Sequence, residues 1–179
     1  MALGRDRQAD AALVQVMRLN SDPRWYRRRM YEALRLRQEA VAARDARAFL
    51  QLAGWGDESA PYVALAAVVA GWRLGQTAEV SALIEEAMRV AKADSWPAAL
   101  LQFTAGRLAA DKLIARAKDD GQRTEAHAYV GIKAAIDGRK DEALVHLRWV
   151  KDRGSKGYVE YDWAIDELER LTASPPESI

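Results

Sequence analysis

Three glycines, Gly75, Gly106 and Gly138, each follow an apolar helical stretch and precede a second one, at separations of 31 and 32 residues. A recurrence of this kind commits a chain to stacked supersecondary units, because one unit cannot bury its apolar face alone. Another 31 residues upstream lies Arg44, with Ala42-Ala43 before it and Asp45 to Leu50 after it, a fourth turn in the same context. With only five prolines and no alternating apolar pattern, the units read as helical hairpins rather than strands.

Aligned on those turns, the second helices carry apolar pairs eight and nine residues on: Leu52 with Ala53, Leu83 with Ile84, Ile114 with Ala115, His146 with Leu147. The first helices carry small residues, Ala40, Gly71, Ala134 and, earlier in its helix, Gly131. Small side chains let two helix axes approach, and large ones fill the space between hairpins. Capping signals at Asp22-Pro23, Ser59-Ala60-Pro61, Ser95-Trp96-Pro97 and Thr124-Glu125 fit this register. The pattern predicts helices over about 7–19, 23–43, 46–54, 61–74, 77–91, 96–105, 109–119, 124–137, 140–152 and 158–171. They form one domain, 1–172, with hairpins at about 23–54, 61–91, 95–119 and 124–152 and a cap at 158–171. The tail 173–179 has little to bury and reads as disordered.

Composition narrows the class further. Lys+Arg number 27 against 26 Asp+Glu, so no general polyanion-binding surface is implied. No apolar run is long enough to span a membrane, and residues 1–7 lack the apolar core of an export signal, so the expected location is cytoplasmic. Zero cysteines remove disulfides and thiolate chemistry. The two histidines, His127 and His146, fall on different predicted helices, which argues against a metal site. No phosphate-binding glycine loop, nucleophile elbow or apolar carboxylate pair is evident, and Asp119-Asp120 reads as a solvated loop. The expectation is a protein without enzymatic activity, cofactor or metal.

The unit Thr124 to Val150 resembles a tetratricopeptide repeat (TPR): Tyr129-Val130-Gly131, then Gly138-Arg139-Lys140-Asp141-Glu142-Ala143, then Leu147. Gly75 to Ala87 is similar more loosely, with Val80 in place of Ala143. The resemblance covers roughly residues 23–150. It implies an all-α, right-handed superhelix (solenoid) of about four hairpins with terminal capping helices, acting as a scaffold that takes a peptide or helix of a protein partner in a concave groove. In that family the first helices line the groove, which implies Tyr62, Leu65, Val69 and Trp72 from one unit. The next would give Trp96, Leu100 and Phe103, and the last Glu125, Ala128, Ile132 and Ala135. Arg73 and Glu125 would set charge preference at the edges. The competing reading makes the same side chains inter-repeat core.

Two further features carry alternatives. In 158–171 a stripe of Tyr161, Ala164, Ile165, Leu168 and Leu171 opposes an acidic face, which suits a capping helix, a lid over the groove, or self-association through that helix. Residues 1–50 hold 11 basic and 6 acidic side chains, and Arg24, Arg27, Arg28 and Arg29 flank Trp25 and Tyr26. Such a face can grip RNA phosphates or an acidic partner. The simpler reading is the solvated side of a helix whose buried stripe is Tyr26, Met30, Ala33, Leu34 and Val41, and the weak charge balance of residues 51–100 argues against nucleic acid. The stretch 22–45 is similar, at fold level, to helical-repeat regions appended to bacterial multidomain proteins such as Ser/Thr kinases, which would make this chain a piece of something larger.

Overall fold

The computed structural model describes residues 22–173. The helix expected at 7–19 and the tail beyond Ala173 lie outside them. Among the described residues the chain is all-helical, with α1 Pro23–Arg35, α2 Glu39–Ala53, α3 Ala60–Arg73, α4 Thr77–Val90, α5 Trp96–Thr104, α6 Ala110–Arg116, α7 Asp120–Ile136, α8 Lys140–Arg153 and α9 Val159–Thr172. No described helix is long and apolar enough to cross a membrane.

The turns follow from glycine chemistry. Gly75, Gly106 and Gly138 sit at φ 69°, 71° and 78°, the left-handed region that a Cβ disfavours. Each lets the following amide reach back five residues: Gln76 N–H donates to the Gly71 carbonyl at 2.9 Å, Arg107 to Gln102 at 2.8 Å and Arg139 to Ala134 at 2.9 Å. This closes the helix ends in the Schellman pattern. The fourth such turn is not at Arg44. It is at Arg37, which adopts φ 60° without being glycine, and Gln38 N–H donates to the Ala33 carbonyl at 2.8 Å. Arg44 lies inside α2, and the helix expected over 23–43 is two helices.

Moving that turn corrects the register. Five, nine and twelve residues after the turns at Arg37, Gly75 and Gly138 stand Ala42, Ala46 and Phe49 in α2, Val80, Ile84 and Ala87 in α4, and Ala143, Leu147 and Val150 in α8, all buried. These are the core columns, whereas Leu52 is half-exposed. Four residues before the same three turns come Ala33, Gly71 and Ala134, the small column, with Ala33 in place of the expected Ala40. A Cβ on Gly71 would overlap the Val80 side chain, and one on Gly131 would lie 2.8 Å from Leu147 Cδ2, so both hairpins depend on close helix approach.

The helices belong to two compact units dividing between Lys92 and Ala93. In the first, α2 packs on α1 and α3, and α4 packs on α3. The middle of α3, Val63 to Gly71, is buried without interruption, as a helix apolar on all sides must be. In the second unit α7 and α8 form a hairpin, α9 seats on both, and α5 and α6 pack against one another and on α7.

Helix starts agree with two of the expected caps. Asp22 accepts from Arg24 N–H at 2.9 Å, and Ser95 from Ala98 N–H at 3.3 Å. Ser59 makes no side-chain cap bond, and Thr124 lies within α7. That helix starts earlier because Asp119 caps it, accepting from Gln122 N–H at 2.8 Å. Asp119-Asp120 is thus a helix start, and Thr124 Oγ1 instead accepts from Ser155 N–H at 2.8 Å. Replacing Ser95 with alanine is expected to cost about 1 kcal/mol of stability, measured by urea unfolding, because α5 would lose its only side-chain cap.

Candidate functional site

In the first unit α2 and α4 both pack on α3 but not on one another, which leaves a groove between them. Its volume is about 510 Å³. The floor is built of small residues, Ala43, Ala46, Ala67 and Gly71, which keep it deep. Leu50 on α2 and Leu83 on α4 rise as half-buried walls. Trp55, placed beyond α2 by Gly54 at φ 75°, donates its indole N–H to Glu86 Oε1 at 2.9 Å and joins the loop to α4. Arg47 stands on the α2 side, Glu79 and Glu86 on the α4 side.

This groove lies between second helices, whereas the residues expected to line one come from first helices. Of those, Leu65, Val69, Leu100, Ala128 and Ile132 are core, each at most 1% exposed. Tyr62, Trp72, Trp96, Phe103 and Ala135 are half-buried. Tyr62 to Arg73 belong to the first unit and Trp96 to Ala135 to the second. Neither expected edge charge is at an exposed edge. The Arg73 side chain is 6% exposed, its Nη1 lies 3.4 Å from the Leu34 carbonyl and 3.8 Å from Glu39 Oε1, and Glu125 is buried. The sequence did hold a signal for the observed groove: alanine and glycine on the facing sides of consecutive helices, with leucine one turn further on.

The arginine cluster does not form the expected basic face. Arg29 is buried and makes a two-pronged ion pair with Asp45, with Nη2 to Oδ1 at 2.7 Å. Arg27 donates to Ser59 Oγ and lies 6.0 Å from the centre of the Phe49 ring. Arg24 is exposed but clamps Asp22, with Nε at 2.9 Å from Oδ2. Of the four, Arg28 is the one exposed guanidinium without a bond to another described residue. Arg27 and Arg29 turn inward, where Ser59 and Asp45 accept their hydrogen bonds.

In the second unit the C-terminal helix covers a carboxylate pair. Glu125 on α7 accepts from Trp96 Nε1 at 2.6 Å, and Glu160 on α9 is also buried. Burial, reinforced by Glu160, raises Glu125 to about 8 despite the Trp96 bond; burial raises Glu160 to about 7. Tyr158 lies against Gly121 at the start of α7, and burial with the neighbouring acids raises its phenol as well. The buried face of α9 is Glu160, Trp163, Ala164, Glu167 and Leu168, so two glutamates assigned to its outer face are inside. Tyr161, Ile165 and Leu171 are half-buried.

The two histidines lie on different helices, as expected, and meet across the α7–α8 hairpin. His127 Nδ1 lies 2.9 Å from His146 Nδ1, and the His127 ring stacks on Trp149 with centroids 4.0 Å apart. Burial and then His146 hold His127 down at about 4; burial likewise lowers His146. Two neutral imidazoles at this distance share one proton in an N–H···N bond. Among the described residues no group of three or more His, Asp or Glu side chains is placed to hold a metal.

No protein-family model matches the chain, and no curated protein sequence is similar to it.

Proposed function

We propose that this chain is a protein-binding module without chemistry of its own, which takes an apolar segment of a partner protein in the groove between α2 and α4. The observation that carries this is the groove itself: about 510 Å³, floored by alanine and glycine and walled by Leu50, Leu83 and Trp55. A cleft of this kind, apolar with a few polar groups at its rim, is a default binding site on a folded domain. The scaffold is already folded, so association orders few of its own side chains. The titratable clusters elsewhere are internal: Arg29 with Asp45 joins two helices, and Glu125 with Glu160 lies beneath α9. Recognition by the arginine face is less well supported, because three of its four guanidinium groups are bonded within the chain.

The test is calorimetric titration with synthetic peptides that carry a stripe of leucines, against scrambled peptides of the same composition. Binding is expected for the former alone. It should weaken at least tenfold in Leu50→Gln and in Leu83→Gln, which remove apolar walls from half-buried positions and leave the floor intact. Binding that ignores both substitutions would place the site elsewhere.

A further inference from the structure

We infer that the occupant of this groove is a short amphipathic α-helix with a basic flank, lying along α4; this rests on the reading of the groove as a protein-binding site. Three observations converge on it. Both walls are helices, whose backbone groups are already bonded within themselves, so the groove offers no ladder to an extended strand. An occupant must therefore satisfy its own backbone, which a helix does while presenting apolar residues at every third or fourth position.

The length of the walls sets the size of the occupant. The groove runs from Ala43 to Gln51 on α2 and from Gln76 to Glu86 on α4. At about 1.5 Å per residue these walls are roughly 12 to 15 Å long, enough for between about two and three helical turns. Trp55, bonded to Glu86, closes one end.

Charge sets its chemistry. Glu79 and Glu86 are seven residues apart, two turns of α4, and therefore stand on the same side of that helix and form an acidic rim. Opposite them the α2 rim carries one charge, Arg47. Neither Glu79 nor Arg47 is bonded to another described residue, while most charged side chains near α1 are. A helix with lysine or arginine two turns apart along one flank, and an acid on the other, would answer both rims.

The experiment uses the full chain and four peptides with the same leucine stripe, measured by fluorescence anisotropy. Their flanks are neutral glutamine, lysine on one side with glutamate on the other, glutamate on both, and the lysine-glutamate version with two prolines in its middle. The lysine-flanked helix should bind about tenfold tighter than the all-glutamate one, an effect that falls with added salt. Glu79→Lys should abolish that preference without losing the neutral peptide, and Arg47→Glu should weaken both glutamate-bearing peptides relative to the neutral one. If all helical peptides bind equally, the groove is a binding site and the charge inference is wrong. If the proline peptide binds as well as its parent, the occupant is extended and the inference also fails. If no peptide binds, the underlying reading falls. Light scattering on the same samples covers the remaining occupant: a mass of two chains that Glu79→Lys returns to one would make a second copy the ligand and overturn the proposal.

Discussion

Asp45→Ala is expected to destabilise the chain by about 3–5 kcal/mol in urea unfolding. Asp45 is fully buried on α2 and takes both prongs of the Arg29 guanidinium from α1. Removing the carboxylate takes a two-pronged, charged acceptor from a guanidinium that is 8% exposed, and the loss of that ion pair rather than of packing sets the magnitude. Since domains are stable by only about 5–15 kcal/mol, this single change would consume much of the total. The double substitution Arg29→Met with Asp45→Leu separates the causes. It removes both charges and keeps apolar volume between α1 and α2, so it should restore most of the loss. A double variant as unstable as Asp45→Ala would mean that packing around Asp45, rather than the lost ion pair, is responsible.

Asp45 also marks where sequence reasoning stopped short. The turns at Gly75, Gly106 and Gly138 were legible because glycine reports a left-handed residue directly, and the helices hung on them follow. Arg37 adopts the same conformation with a Cβ, so nothing in its identity announces a turn, and extending the 31-residue period led to Arg44 instead. That error moved the small and large columns of α1 and α2 and left Arg29 on a solvated face. Once the turn is at Arg37, Arg29 follows Phe49, Ala46 and Ala42 into the α1–α2 interface, where Asp45 meets it.

The groove was missed for a different reason. Large apolar side chains on first helices, such as Leu65, Val69 and Ile132, were assigned to an open surface, but such residues are the ones a helix pair buries first. An open cleft is made where side chains are too small to fill it, as at Ala43, Ala46 and Gly71. Hydrophobic periodicity finds the core well and its gaps poorly. The meetings of Glu125 with Trp96 and of His127 with His146 span 29 and 19 residues, and helix-face reasoning within one element contains neither.

The pH dependence of stability should show the second unit's buried carboxyls. Glu125 and Glu160 have native values of about 8 and 7, above the ordinary 4.5, so the native state holds their protons longer than the unfolded state does. Their contribution is complete below pH 4.5 and is lost as pH rises through 7 and 8. His127 and His146 run the opposite way: their native values are depressed below 6.5, so their contribution is present above 6.5 and is lost as pH falls. Between 4.5 and 6.5 the two pairs oppose one another. Above 6.5 the carboxyls act alone, and at about 1.4 kcal/mol per unit the chain should lose on the order of 2 kcal/mol by pH 9. The acids that face Glu125, namely Glu160 from α9 and Asp119 before α7, strengthen that loss; among the described residues no cation is bonded to it, and Trp96 from α5 is the one group that eases it. Glu125→Gln keeps an acceptor for the indole and carries no charge at any pH. Its urea midpoint should therefore fall much less from pH 6.5 to 9 than that of the parent, the remaining fall being the share of Glu160. An equal fall in both would locate the alkaline sensitivity outside the contact between α7 and α9.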